Sequence, residues 1–480
     1  MYRKQKQQDT LPEEFELPFG GKLAADNRWV ILAKIIPWTE FEAEYAAIFT
    51  EVLGAPAKTF RMALGALIIK EKLGTSDRET VEQIRENPYL QYFIGMSAYS
   101  NQTPFDPSML VHFRERIDMN LVNRLNQKIV KKVLENQKES EVKGKKSEVE
   151  DSKSEVTNRG KLILDASCAP ADISYPTDLG LLNQARKHTE IIIDILYNSV
   201  KVKNSNKPRT YRKIARKEYL VVARKKKVQS AERRKAIKKQ LQYIKRNLAH
   251  IQQIMNGGAS LLELSNRQYK MLLVVAEVYR QQLWLYEHEK RSIEDRIVSL
   301  SQPHIRPIVR GKAAKNTEFG AKFSASCFDG YVFLDQISWD NFNESVHVDK
   351  IYRTRDNRDW CKERGIRISG PPLGRPPKNV SKETKKQAID DERIRNSIEG
   401  KFGQGKRRFS LGRVMTKLPH TSLTSIAISF LVMNLSTLLS RLFWGFFCPF
   451  FKITSFLSYL ISEIDVFVRF RQQKLIFISA

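Results

Sequence analysis

Three acidic residues stand where their side chains could hold a divalent metal against a phosphate backbone. Glu399 is the one acid in RNSIEGKFGQGKRR, residues 395–408, a stretch otherwise rich in cations. Asp165 ends the apolar run of GKLILDAS, and Asp349 ends VHVD. Lys and Arg neutralise phosphates, and a carboxylate supplies the hard oxygen that Mg²⁺ prefers. Two such ions activate a water or 3′-hydroxyl on one side of a phosphorus and stabilise the leaving oxygen on the other. Singly each acid is weak evidence, because an Asp after a strand is more often a turn or cap residue and a Glu in a helix usually faces solvent. Their order and the cationic surround carry the reading.

For the carboxylates to meet, Asp165 and Asp349 must end adjacent parallel strands, and a helix must deliver Glu399 from above. On that helix Arg395, Glu399 and Lys406 lie four and seven residues apart and share a face if the helix continues. Gly400, Gly403 and Gly405 oppose continuation by about 1 kcal/mol each relative to Ala, and would let DNA come close to the backbone.

The preceding segments set the frame. From Asp26 to about Gln137 apolar periodicity is helical throughout, and TVEQIRENPYLQYF reads as one short helix opened by Ser76 after Gly74. Two helices around such a turn, with Arg78 and Arg85 exposed, could form a helix-turn-helix, but a plain helical bundle fits the local pattern better. Domain boundaries are expected at 18–137 for a helical DNA-binding domain, 138–158 for a solvated Lys/Glu/Ser linker and 159–420 for the core. A long basic helical hairpin, 205–301, turning at Gly257 and Gly258, is expected within the core as a clamp on a DNA backbone. Asp178 is expected to cap the helix before it. EFGAKFSAS and GYVFLDQIS read as a β-hairpin with Asp329 and Gly330 at its turn. Apolar C-terminal helices are expected over 421–480, with Thr421–Ser440 amphipathic and LFWGFFCPFF part of a buried cap.

Composition agrees with a polyanionic partner. The net charge is +29, and residues 201–250 hold nineteen Lys and Arg against Glu218 and Glu232 alone. Nucleic acid suits this surplus better than an anionic membrane. Cys168, Cys327, Cys361 and Cys448 are too far apart in sequence for a zinc finger or disulfide framework, so the chain reads as reduced and intracellular. The N-terminus, MYRKQKQQDTLPEEF, has no apolar run of a secretory signal.

LDASCAPADISYPTD, VHVDKIYRTRDNRDWCKERGIRISGPPLGRPPK and RNSIEGKFGQGKRRFSLGRVMTKL resemble bacterial insertion-sequence transposases with an RNase H-like core and an Asp-Asp-Glu site. ENPYLQYFIGM and FDPSMLVHFRERI resemble that family's helical N-terminal domain. The fold class implied is α/β (mixed α+β), an RNase H-like mixed sheet with helices behind an all-α N-terminal domain. The resemblance makes Asp165, Asp349 and Glu399 the metal ligands for Mg²⁺ or Mn²⁺, two ions in all. Arg395 and Lys406 match basic positions that contact DNA, and Lys350, Tyr352 and Arg407 beside the acids join them. A tyrosine usual seven residues before the glutamate is here Glu392. The implied partners are double-stranded DNA, as terminal inverted repeats and target, and a second copy of the chain, at the bacterial nucleoid and without stable membrane association.

One departure bears on activity. Only NFNES separates Asp340 of SWD from the VHVD strand. In an RNase H-like sheet that connection crosses roughly 14 Å at ~4.8 Å per strand and returns along the strand. About seven residues at ~3.4 Å each barely span it and leave nothing for a covering helix. An internal deletion explains the shortfall, and reduced or absent activity is expected.

Overall fold

The sequence dictates mostly helix, and the structure, a computed structural model, shows it. Residues 11–442 are described except 19, 50–55, 145–161, 201–205, 310–316 and 341–380. For 137–144, 384, 388, 392 and 394 only the backbone is described. Two compact units divide the chain: 1–162 with 327–333 and 427–480, and 163–326 with 334–426.

The first unit holds α1 (Arg28–Ile35), α2 (Trp38–Ala46), α3 (Phe60–Leu73), α4 (Asp77–Glu86), α5 (Pro88–Phe93), α6 (Met109–Arg116) and α7 (Met119–Gly144). Helix α3 is buried nearly all round, as FRMALGALII requires. It ends at Gly74 in the left-handed region (φ 69°), and Ser76 caps α4 by accepting the Glu79 amide. The expected single helix over TVEQIRENPYLQYF is two. Pro88 disfavours the α conformation at Asn87, which sits extended and caps α5 through its side chain. Helix α7 runs to Gly144, into the stretch expected as linker. Buried Arg61 binds α3 to the end of α5, donating to the Phe93 and Tyr92 carbonyls at 3.1 and 2.8 Å and lying over the Trp38 and Tyr92 rings.

The last helix, α13 (Pro419–Leu442), is long and apolar enough to cross a membrane, but most of it is buried in the protein. It is the core helix expected of 421–440, but buried nearly all round rather than on one face. Its Ser and Thr hydroxyls turn back onto the helix's own carbonyls, as Ser436 does to Val432 and Thr437 to Met433, so polar residues sit inside without orphaned groups. Within the first unit Asn434 accepts from the Val332 amide at 2.8 Å and donates to the Val332 carbonyl at 2.7 Å and to Asn126 at 2.9 Å. Residues 443–480, including most of LFWGFFCPFF, lie outside the described residues, as do Cys361 and Cys448. Cys168 and Cys327 are buried and form no disulfide.

The second unit holds a helical bundle and most of a sheet. Strands β1 (Leu162–Pro170), β2 (Arg306–Val309) and β4 (Tyr331–Ser338) all pair with β3 (Thr317–Phe328). Residues 327–333, the end of β3, its turn and the start of β4, fall in the first unit. The β2–β3 register is antiparallel, with Arg306 opposite Gly320 and Val309 opposite Thr317. Asp329 and Gly330, at φ 48° and 73°, make the two-residue hairpin turn between β3 and β4 as expected.

The expected helical hairpin is instead part of a four-helix bundle of α8 (Asp178–Val200), α9 (Arg212–Ala223), α10 (Ser230–Asn256) and α11 (Asn266–Glu287). The reason is visible in the burial. Leu182, Ala185, Leu241, Ile244, Val275 and Val278 form one core, so α8 shares its apolar face with α10 and α11. Basic sequence breaks at 225–229, which separates α9 from α10, and α11 stops at Glu287, short of Leu300. Asp178 is the first helical residue and bonds Arg296 and Gln282, while Thr177 accepts the Gly180 amide in its place.

Candidate active site

Asp165 lies in the middle of β1, not at its end. The strand continues through ASCAP because those residues stay paired to β3, with Cys168 and Ala169 fully buried. The Asp165 side chain is half-buried, and its Oδ1 accepts the Ala166 amide at 2.8 Å. That bond holds the carboxylate against its own strand.

Glu399 lies on α12 (Lys382–Arg408), which runs unbroken through Gly400, Gly403 and Gly405. Arg395, Glu399 and Lys406 therefore do share a helix. At about 100° per residue they fall within about 40° of one another, on the flank of the face that buries Ile398 and Phe402. Phe402 meets Phe323 of β3 edge-on, ring centroids 5.4 Å apart, so packing on the sheet overrides the glycine propensity. Glu399 is exposed and faces Arg395 at 4.0 Å. Arg407 is exposed, and its guanidinium folds over Gly403, where an added Cβ would meet it at 3.1 Å. At Gly400 an added Cβ would meet nothing within 4 Å.

The segment after α12 ties this helix to the Asp165 strand, a link that sequence reasoning missed. Val414 donates to the Pro170 carbonyl at 2.8 Å, and Asp172 donates back to the Val414 carbonyl at 3.0 Å, a parallel bridge at the end of β1. Arg413 adds Nε to Asp172 Oδ1 at 2.8 Å. Gly412 and Gly320 are both sterically required, since a Cβ would collide with the Lys406 and Ala169 carbonyl oxygens respectively. The signal in the sequence was the glycine in SLGRV, but a glycine alone does not name its contact. Asp165 and Glu399 are thus carried by elements packed on one sheet. Asp349, Lys350 and Tyr352 lie outside the described residues, as does the short connection before Asp349. Among the described residues no three His, Cys, Asp or Glu side chains cluster as a metal site.

The N-terminal helices carry little cationic surface. Residues 18–137 have fifteen Lys and Arg against fourteen Asp and Glu. Helix α4 itself bears Asp77, Glu79, Glu82 and Glu86 against Arg78 and Arg85. Asp77 is held by Arg114 at 2.7 and 3.1 Å and by Lys70 at 3.1 Å; burial raises its pKa, but these cations outweigh it and leave the carboxyl below its ordinary value.

Comparison with known proteins identifies both segments. Residues 346–436 match the family described as transposase DDE domain, and residues 18–116 match the transposase domain DUF772. Both matches are to transposase domains, and together they support an insertion-sequence transposase. The first match spans Asp349, Glu399 and the Arg413–Val414 link, so the residues that tie α12 to β1 fall within the segment similar to the DDE domain. A Rhizobium meliloti relative, "Uncharacterized protein ORF8 in nfe locus", is 36% identical over 88 residues, 18% of this chain and 42% of the relative. The chain thus spans under half of that relative's length. No solved structure matches it.

Proposed function

We propose that this transposase performs metal-dependent phosphodiester cleavage and strand transfer at the ends of its own insertion sequence, on an RNase H-like core. The carrying observation is that Asp165 and Glu399 ride on β1 and α12, elements that pack on one sheet and are tied by the Val414 bridge. Asp349, inside the matched DDE segment, is the third carboxylate.

A set of three carboxylates is hard-oxygen chemistry and fits Mg²⁺ or Mn²⁺. Asp165, Asp349 and Glu399 would hold two ions, which supply nucleophile activation and charge stabilisation when bound. The chain's own residues do the rest. Arg395, Lys406 and Arg407, with Lys350 and Tyr352, hold the scissile backbone, and the smooth strip at Gly400 lets it approach α12. Terminal inverted repeats and target DNA are the substrates, the working form is a dimer or larger on DNA, and the site of action is the bacterial nucleoid.

A second reading rests on one observation, the short NFNES connection before VHVD. An internal deletion there lowers or abolishes cleavage and leaves a basic protein that binds nucleic acid without cutting it. Incubating purified protein with Mg²⁺ and a duplex carrying the element's ends separates the two. Cut and joined products support the first reading; salt-sensitive binding with no Mg²⁺-dependent product supports the second.

A further inference from the structure

The bundle of the second unit carries a cationic surface apart from the Glu399 helix. On α9, Lys213, Arg216, Lys217 and Arg224 are exposed and fall on one stripe, opposite the buried seam of Ala215 and Val222. They border a shallow depression of about 440 Å³ floored by Leu220 and Val221. The stripe continues through Lys226 and Lys227 onto α10, where Lys235, Lys238 and Lys245 are exposed.

The acids nearby are already taken. Glu218 pairs with Lys239 and accepts the Tyr243 hydroxyl at 3.0 Å, Glu232 holds Lys225 at 2.5 Å, and Asp194 holds Arg212 and Lys207 at 2.9 and 2.7 Å. Among the described residues none of the stripe cations named above has a carboxylate within ion-pair distance. A buried polar network keeps the helices in place beneath them. Arg186 binds Glu190 and donates to Asn183 and Gln240, and Gln240 donates in turn to the Ala215 carbonyl of α9.

We infer that the α9–α10 face is a sequence-independent duplex-DNA clamp, and that it, rather than the near-neutral N-terminal helices, supplies most of this protein's non-specific affinity for DNA. Lys213 to Arg224 spans about 16 Å of helix. Duplex DNA presents one charge per roughly 1.7 Å of axis, so a row of uncompensated cations of that length matches about half a turn of phosphates. A membrane surface fits less well. Ile214 and Val221 are exposed on α9, too few for the continuous apolar face an interface needs, and the exposed side chains of 224–227 and of α10's stripe are cations.

This inference rests on the DNA-substrate reading, and the test separates them. Binding of the full-length chain to a random-sequence duplex is measured in EDTA across a salt series, for the native protein, for K213Q/R216Q/K217Q/R224Q, and for K22Q/K34Q/K131Q/K132Q. The last removes equal charge from exposed lysines of the first unit. The α9 variant is expected to bind at least about tenfold more weakly at 0.1 M salt, with a plot of log K against log salt shallower by about 3 to 4. The first-unit variant is expected to stay within about twofold of native. A charge-retaining Lys213→Arg, Lys217→Arg variant is expected to bind like native, which excludes misfolding as the cause. Unchanged affinity and slope in the α9 variant, or equal loss in the first-unit variant, overturns the clamp while leaving the DNA-substrate reading standing. Loss of binding to phosphatidylserine vesicles with DNA binding intact also overturns it. No binding of native protein to any duplex defeats both.

Discussion

At the scale of single residues, buried polar groups fix the first unit. Asp77 gains Arg114 and Lys70 on folding, and its carboxyl lies below its ordinary value of 3.8 despite burial. A carboxyl depressed in the folded state contributes stability that is complete above the unfolded pKa and is lost as pH falls through the folded one. Asp77→Asn is therefore expected to lower stability at pH 7, and the difference should close below about pH 3.8 in denaturant titrations at a series of pH values. Asn434 is the second case. Its amide satisfies both backbone groups of Val332 and the Asn126 side chain, so Asn434→Leu strands buried partners at about 1–3 kcal/mol each. Urea midpoints should fall accordingly, whereas a drop no larger than that of a surface substitution would contradict the assignment. Neither residue was legible in the sequence. An Asp in a first helical turn and an Asn in an apolar run look like a cap and a blemish, because their partners come from more than thirty and more than three hundred positions away.

At the scale of elements, the sequence carried the helical N-terminal block, the β3–β4 hairpin and the helix around Glu399, because period and turn chemistry are local. It misread what packing decides. The glycines of α12 argued for a break, yet Ile398 and Phe402 hold the helix on β3 and continue it. The basic segment looked like a hairpin, yet the apolar stripe of α8 gathers α10 and α11 into a bundle. Asp165 looked like a strand end, because the small residues after it give no apolar alternation to extend. The open space at Gly400 makes one prediction. With no neighbour to meet, Gly400→Ala should stabilise α12 by about 1 kcal/mol, read as a raised melting temperature. If DNA lies against that strip, the same substitution should weaken cleavage of the element's ends. A more stable variant with full cleavage would place the DNA elsewhere.

At the scale of the whole molecule, charge and chemistry are carried by different segments. The first unit's 18–137 segment is nearly neutral, the bundle of the second unit is strongly cationic, and two of the three proposed ligands sit on the sheet and helix beside it. Composition announced the polyanionic partner and placed the surplus at 201–250, while the expectation of an N-terminal DNA-binding domain came from helix pattern and resemblance and not from charge. The central claim is that Asp165 and Glu399 act on phosphodiester bonds and not on the fold. Glu399 is exposed and holds Arg395 at 4.0 Å, a surface pair worth about 0–1 kcal/mol, so Glu399→Gln should leave stability nearly unchanged. The most direct measurement is Mg²⁺-dependent cleavage and joining of a duplex carrying the element's ends, run beside duplex binding, for native protein and Glu399→Gln. The account predicts product from the native protein, none from the variant, and equal DNA affinity in both. Product from Glu399→Gln at the native rate, or loss of binding in step with cleavage, would contradict it.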